Sequence, residues 1–157
     1  MDRIIVECQV VEGTTLPTGT DPCGIEDLSR FVLEQRGGDG RWIVTVVLTG
    51  NPHLRQLHRD FLGVDTETDV MTFPSDGSEE ADHGGDIVVS VDQARAQASD
   101  FGLTPSEELR FLVVHGLLHL CGRDDATDDQ RRAMHEEQRL LIDAYDRRSS
   151  PSPSVRP

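Results

Sequence analysis

The sequence has 157 residues, of which 36% are hydrophobic and 4% aromatic, and its formal net charge is −14. This length suits about one domain with a real hydrophobic core, which Leu, Val and Ile must fill because aromatic residues are scarce. All 15 basic residues are arginine. Such an acidic chain argues against broad, non-specific binding of nucleic acid, but its net charge does not exclude a local cleft lined by arginines.

The cysteines and the apolar segments indicate the compartment. Cys8, Cys23 and Cys121 are widely spaced and form no Cys-x-x-Cys pair, so neither a zinc ribbon nor a disulfide framework is predicted. The N-terminus lacks the features of a signal peptide, and the longest apolar stretch is too short to span a bilayer. We therefore expect a cytoplasmic protein with no membrane partner, and no DNA partner is expected either.

Hydrophobic periodicity and turn signals predict the first half of the chain to be rich in strands. Residues 24–35 and the segment after Asn51-Pro52 have helical patterns. Pro74 stops the third strand, and the acidic residues 75–85 are predicted to form a loop. The predicted strands cover residues 4–10, 41–50, 68–73 and 86–91.

Capping signals predict three later helices. Ser90 with Gln93 opens the first of them, which ends before Gly102. Thr104-Pro105-Ser106-Glu107 is a capping box with proline at the first helical position, and the helix runs through FLVVHGLLHL to Gly122. Thr127 with Gln130 opens the last helix. The helix that ends at Gly122 is apolar on most faces, which is typical of a buried central helix.

Two histidines on that helix predict a metal site. His115 and His119 are four residues apart, so they lie one turn apart on the same face and can each give one ring nitrogen to a metal ion. The helix breaks at Gly122 and the chain turns back to Asp125, whose carboxylate can reach the same ion. Three protein ligands leave one position open for water, as in catalytic zinc sites. We predict one catalytic Zn²⁺ per chain.

The alternative interpretation is that both histidines are ordinary core or boundary side chains. Two unpaired imidazoles would be costly to bury in an otherwise apolar helix, which favours the metal site. The usual metalloprotease helix has Glu directly after its first His as a general base, and Gly116 occupies that position here. This absence disfavours a peptidase.

The pattern of elements predicts the fold class. Strands come first and helices dominate the second half, with too few alternations for a doubly wound fold. We predict an α+β domain, residues 1–146, in which a small mixed β-sheet packs against helices and the metal-binding helix is central and buried. Residues 147–157, RRSSPSPSVRP, are predicted to be a disordered tail.

Three segments of the sequence are similar to motifs of one known family. HGLLHLCGRDD at residues 115–125 is similar to H-G-x-L-H-L-x-G-x-D-H, TDVMTFP at 68–74 to T-D-V-L-S-F-P, and GDIVVS at 85–90 to G-D-I-x-I-S. Together they resemble the YbeY family of bacterial metal-dependent endoribonucleases, over roughly residues 40–145. The resemblance implies an α+β fold with a zinc site and a role in ribosomal RNA maturation and ribosome quality control.

The third ligand is one departure from that family. Asp125 stands where the family usually has histidine. Aspartate is a competent zinc ligand, but its charge lowers the Lewis acidity of the ion and can shift the metal preference. Asp124, which matches an aspartate of the family motif, is the alternative third ligand, although a role in supporting the ligands or the helix start fits it better.

The catalytic cation is the other departure. The family commonly has an arginine before the glycine matched by Gly63, and Leu62 stands there. Arg59, one turn earlier, is therefore a candidate catalytic residue, with a solvated surface arginine as the alternative. Arg123 is the second candidate, either for a substrate phosphate or for a salt bridge with Asp124, which is favoured.

Other polar residues are assigned smaller roles. Asp69 and Asp86 either order the site or make turns. His53, His58 and His135 have no partner at a suggestive spacing and are interpreted as surface residues.

Metal-assisted hydrolysis of a phosphodiester in single-stranded RNA or ribosomal RNA is the leading hypothesis for the function. A metallopeptidase is one alternative. A non-catalytic, metal-containing, ribosome-associated module is another, in which the acidic surface docks onto a basic ribosomal protein.

Overall fold

A computed structural model describes residues 3–75, 77 and 79–149 of the chain. In this part of the chain four strands and five α-helices follow one another, with a short 3₁₀ helix after the third helix. The elements are β1 (Ile4–Val10), α1 (Pro22–Arg36), β2 (Trp42–Thr49), α2 (Asn51–Leu62), β3 (Val70–Pro74), β4 (His83–Ser90), α3 (Val91–Ala98), the 3₁₀ helix (Ser99–Phe101), α4 (Pro105–Leu120) and α5 (Asp128–Ser149).

The strands form one mixed sheet in the order β1-β2-β4-β3. β1, β2 and β4 are parallel, and β3 pairs antiparallel with β4 at one edge. The α+β class and the small mixed sheet predicted from the sequence are confirmed.

The two faces of the sheet cover different helices. Ile87 and Val89 of β4 belong to the main core, which they share with buried residues of α1, α4 and α5. Val88, between them, packs with Leu54 of α2 in a smaller cluster. Successive strand residues point to opposite faces, so α2 and α4 lie on opposite sides of the sheet.

The central helix α4 is buried as predicted. Thr104 and Glu107 form the capping box, with Pro105 as the first helical residue. α4 packs against α1, α3 and α5 and against β3 and β4. At Gly116 a Cβ atom would lie 2.6 Å from Cγ2 of Ile87, so glycine lets the helix approach the sheet directly.

Two boundaries differ from the sequence prediction. Gly84 and Gly85, assigned to a loop, are residues of β4, which begins at His83. Gly84 has φ +155°, and a Cβ atom there would overlap the carbonyl oxygen of Ile43 in β2. α5 includes residues 147–149, which the sequence had assigned to the tail, and the remaining tail residues 150–157 lie outside the described residues.

Within the described part of the chain, no helix has both the length and the apolar character needed to cross a membrane.

Replacing Gly84 by Ala should lower the free energy of unfolding by about 3 kcal/mol, because the new methyl group overlaps a backbone oxygen that cannot move away freely. Gly38→Ala is the matched control. Gly38 has φ +68° and no atom within 4 Å of the position that the methyl group would take, so this variant should lose only about 1 kcal/mol. Urea denaturation measures both values, and equal losses would contradict the close approach of β2 and β4.

Candidate metal centre

Three donor atoms converge at the C-terminal end of α4. Nε2 of His115 lies 3.1 Å from Nε2 of His119, and Oδ2 of Asp125 lies 3.2 Å and 3.4 Å from these two nitrogens. Two donors bound at about 2.0–2.1 Å in a tetrahedral arrangement lie about 3.4 Å apart. The half-buried cluster therefore has the dimensions of one face of a tetrahedral metal site.

Gln138 of α5 determines which nitrogen of His115 carries the hydrogen. Its amide nitrogen donates to the carbonyl oxygen of Phe111 at 3.1 Å, and a carbonyl can only accept. The amide oxygen of Gln138 therefore faces Nδ1 of His115 at 3.0 Å, so Nδ1 must donate. Because Gln138 is buried, this arrangement is held in place and the lone pair of Nε2 points into the cluster.

His119 is oriented in the same way by the backbone. Its Nδ1 lies 3.1 Å from the carbonyl oxygen of Arg123, so Nδ1 again donates and Nε2 keeps its lone pair. Two imidazole lone pairs and the carboxylate oxygen of Asp125 then face one another. Such a set of acceptors is unfavourable by itself, whereas a cation between them makes each one a ligand. The residues present therefore fit a divalent metal ion.

The turn after α4 brings Asp125 and not Asp124 into the cluster. Oδ1 of Asp124 accepts a hydrogen bond from the backbone nitrogen of Asp125 at 2.8 Å, and its side chain is exposed. Arg131 of α5 donates to the carbonyl oxygen of Asp125 at 3.2 Å. Asp124 thus shapes the turn that presents the third donor.

The side chain of Arg123 is paired with a different acid from the one expected. Its guanidinium makes two hydrogen bonds of 3.1 Å to Glu137, which also accepts from Arg36 of α1 at 2.6 Å. The hydrogen bond to Glu137 raises the pKa of Arg123. Burial works to raise the pKa of Glu137, but the two arginines outweigh it and hold that pKa below its usual range. Through Glu137, Arg123 therefore connects the turn after α4 to α5 and to Arg36 of α1. A contact between the Arg123 side chain and a substrate stays a prediction.

Arg59 lies on α2, across the sheet from α4. Among the described residues its ion-pair partners are Asp60 at 3.8 Å and Asp65 at 3.7 Å, and its side chain is 52% exposed. Leu62, at the position where a family arginine is expected, is exposed at the end of the same helix. The structure does not bring Arg59 to the three donors, and a catalytic role for it stays a prediction.

Two other side chains near the cluster are uncharged at neutral pH. Burial raises the pKa of Cys121 to about 11, so its thiol is a packing group. His135 is exposed, as predicted from the sequence, and its ring centroid lies 6.3 Å from that of His115. Partial burial, followed by the neighbouring His115 and Arg139, lowers the pKa of His135. A neutral histidine therefore stands beside the metal-type cluster.

A cavity of about 670 Å³ opens beside His115, between α3, α4 and α5. In its wall the amide nitrogen of Gln97 donates to Asp69 at 3.3 Å and to Glu108 at 2.7 Å. Burial raises the pKa of Glu108, an effect that the hydrogen bond from Gln97 opposes. Asp69 and Asp86 were each predicted either to order the site or to make a turn. Asp69 lies in the wall of this cavity, and Asp86 is exposed on β4.

Gln138 was not among the residues predicted from the sequence, although a signal for it was present. Met134 and Leu141 of α5 are buried, and position 138 lies on the same helical face at the spacing of i+4 from Met134. A glutamine at a core position needs a buried partner. That rule predicts a polar contact with the helix opposite, but it does not name His115.

Fold and site together define an α+β protein with a His-His-Asp cluster of the metal-binding type. The family model described as endoribonuclease YbeY matches residues 22–146. A relative named endoribonuclease YbeY from Bacillus velezensis is 35% identical over 131 residues, an alignment that covers 77% of this chain and 83% of the relative. A relative of the same name from Listeria monocytogenes is 32% identical over 155 residues, an alignment that covers 90% of this chain and 96% of the relative.

The chain therefore belongs to the endoribonuclease YbeY family, and the resemblance inferred from its three motifs is confirmed. A solved structure agrees with the fold: the solution structure of TM1509 from Thermotoga maritima matches with a TM-score of 0.58 and 25% identity, over 97% of this chain and 100% of that one.

Replacing Gln138 by Met should weaken metal binding about 10- to 100-fold, because His115 loses the acceptor that orients its ring while the core volume is kept. Competition with a chromophoric chelator measures the affinity, and circular dichroism verifies that the variant is folded. Gln35→Ala, on the exposed surface of α1, is the control and should bind metal as wild type does. A folded Gln138→Met variant with unchanged affinity would show that Gln138 does not orient a ligand.

Proposed function

We infer that this chain is a metal-dependent endoribonuclease that cleaves single-stranded RNA, with ribosomal RNA as its substrate class and a role in ribosomal RNA maturation. The observation that carries this proposal is the convergence of His115, His119 and Asp125 in a chain of the endoribonuclease YbeY family. Residues 1–146 are proposed to form the one metallohydrolase-like domain that performs the reaction.

Zn²⁺ is the proposed ion, held by Nε2 of His115, Nε2 of His119 and Oδ2 of Asp125. Two imidazoles and one carboxylate are a donor set that zinc accepts in hydrolytic sites, with one position left for water or substrate. When bound, such an ion supplies Lewis acidity, which polarises a phosphoryl oxygen and makes water acidic enough to attack at neutral pH.

The residues of the chain supply orientation and charge balance. Gln138 and the Arg123 carbonyl hold both imidazoles with Nε2 directed at the ion. The carboxylate of Asp125 reduces the positive charge of the site, so a cationic side chain has to help neutralise the charge that develops on phosphorus. Arg59 and Arg123 are the arginines predicted for this role, and both have acidic partners in the free protein.

Proteolysis is disfavoured by the packing of α4 as well as by its sequence. The residue after the first histidine, Gly116, is buried against Ile87, so a glutamate there could not extend towards a substrate. A non-catalytic module that docks onto a basic ribosomal protein remains the second candidate, because the predicted catalytic arginines are ion-paired and the chain is strongly acidic.

The first test combines metal analysis with RNA digestion. Untagged protein purified without chelator should contain about one zinc per wild-type chain, and Asp125→Ala should lose most of it, because two imidazoles alone bind weakly. Asp124→Ala is the matched control and should keep its metal. On a labelled single-stranded RNA, Asp125→Ala should be slower than wild type by on the order of 100-fold or more.

The outcomes separate the candidates. Intact RNA after incubation with metal-loaded wild-type protein, under conditions where another nuclease cuts it, would contradict the endoribonuclease and favour the docking module. Loss of metal in Asp124→Ala but not in Asp125→Ala would reverse the assignment of the third ligand. Cleavage of a casein substrate that chelator abolishes would restore the peptidase.

A further inference from the structure

One part of the cavity wall, formed by Gln97, Asp69 and Glu108, presents hydrogen-bond acceptors. Gln97 uses its amide nitrogen on Asp69 and Glu108, so the atom of the amide that remains is its oxygen. Oδ1 of Asp69 has no hydrogen-bond partner among the described residues, since Gln97 binds Oδ2. A carboxyl oxygen and an amide oxygen side by side suit a ligand edge that carries N–H donors.

The cavity is also positioned for part of an RNA substrate. His115 is a metal-cluster residue and lines the cavity, whereas Glu108 lies seven residues earlier on the same face of α4, about 10 Å away along the helix. A ligand whose one end reaches the metal cluster can therefore place its other end against Gln97 and Asp69. One nucleotide has this shape, with a phosphate at one end and a base at the other.

Two side chains in the cavity lining independently suit a nucleotide. Phe101 is 65% exposed, and an exposed aromatic ring is a surface on which bases stack. Arg139 has no ion-pair or hydrogen-bond partner among the described residues, unlike Arg110 in the same lining, which is paired with Asp146. An unpaired guanidinium suits a phosphate.

The charged side chains of the cavity lining indicate which part of a nucleotide lies at each end of the cavity. The lining holds five acidic side chains, which disfavour entry of a phosphate, so the uncharged base is the part that enters beside Asp69; they are Asp69, Glu107, Glu108, Asp143 and Asp146. Arg139 lies one turn after His135 on α5, and the His135 ring is 6.3 Å from that of His115, so Arg139 lines the cavity on the side nearer the metal cluster. This orientation places the phosphate beside the guanidinium of Arg139 and the N–H donors of the base beside the carboxyl oxygen of Asp69.

Building on the proposed function, we propose that this cavity is a nucleobase subsite next to the scissile phosphate, and that it prefers bases with an exocyclic amino group over uracil. Asp69 and the Gln97 oxygen accept from the amino group, Phe101 stacks on the base, and Arg139 binds the adjoining phosphate. Cytosine and uracil make the sharpest comparison, because cytosine presents an amino donor at the position where uracil presents an oxygen.

Binding of mononucleotides tests the subsite without relying on cleavage. Calorimetry on the full-length protein should show cytidine 5′-monophosphate binding about tenfold more tightly than uridine 5′-monophosphate. Asp69→Asn, which turns an acceptor into a donor at constant shape, should abolish that ratio. Glu136→Gln removes the same charge from the exposed face of α5 and should preserve it. Equal affinities in wild type, or an unchanged ratio in Asp69→Asn, would overturn the proposal.

A second pair of variants separates phosphate binding from base selection. Arg139→Gln should weaken both nucleotides by a similar factor and keep their ratio, whereas Arg147→Gln, an exposed arginine outside the cavity lining, should change neither. The melting temperature of each variant shows whether the hydrogen bond from Gln97 to Glu108 of α4 still stabilises the fold. If Asp69→Asn only lowers the melting temperature and leaves selectivity unchanged, the wall is structural and the proposal fails.

The proposed function and the subsite can fail separately. A cytidine preference lost in Asp69→Asn, together with single-stranded RNA left intact, would overturn the endoribonuclease and keep the nucleotide site. RNA cleavage that has no preference between oligouridine substrates with and without one cytidine, together with equal mononucleotide affinities, would keep the endoribonuclease and overturn the subsite.

Discussion

The close packing of α4 between the sheet and α5 is the constraint on which the metal-type site depends. Gly116 brings one side of the helix onto Ile87, and Gln138 contacts the other side through His115. With α4 held on the sheet and Gln138 bonded to Nδ1, the ring of His115 has one orientation, while the carbonyl oxygen of Arg123 in the following turn orients His119. The site therefore owes its geometry to helix packing and to the short turn that carries both Arg123 and Asp125.

Local signals in the sequence were sufficient to predict most of the elements and the three residues whose donor atoms converge. The capping box at Thr104 and the spacing of His115 and His119 act within one or two helical turns, so they can be read without knowing the fold. Gln138 and Glu137 could not be assigned in this way, because each binds a partner on another element. The strand start at His83 was missed for a similar reason: glycines there allow close strand pairing, but in sequence they resemble a turn.

The arginines show why a motif assigns cations less reliably than metal ligands. A metal ion demands particular donor atoms at fixed distances, whereas a guanidinium donates hydrogen bonds to any nearby carboxylate. With 29 acidic against 15 basic residues, an arginine in this chain meets an acid more often than not. Two ion pairs follow that expectation, Arg59 with Asp65 and Arg123 with Glu137. In this chain the lack of an acidic partner is therefore a better indication that an arginine binds a phosphate than its position in a family motif.

The bond between Gln138 and His115 also makes the site sensitive to the alignment of α5. Rotating α5 by one residue would swing position 138 by about 100° and leave Nδ1 of His115 without its acceptor. A chain that folded with this helix displaced would hold its ion weakly and would cut little. Correct docking of the last helix is therefore a precondition for the orientation of His115.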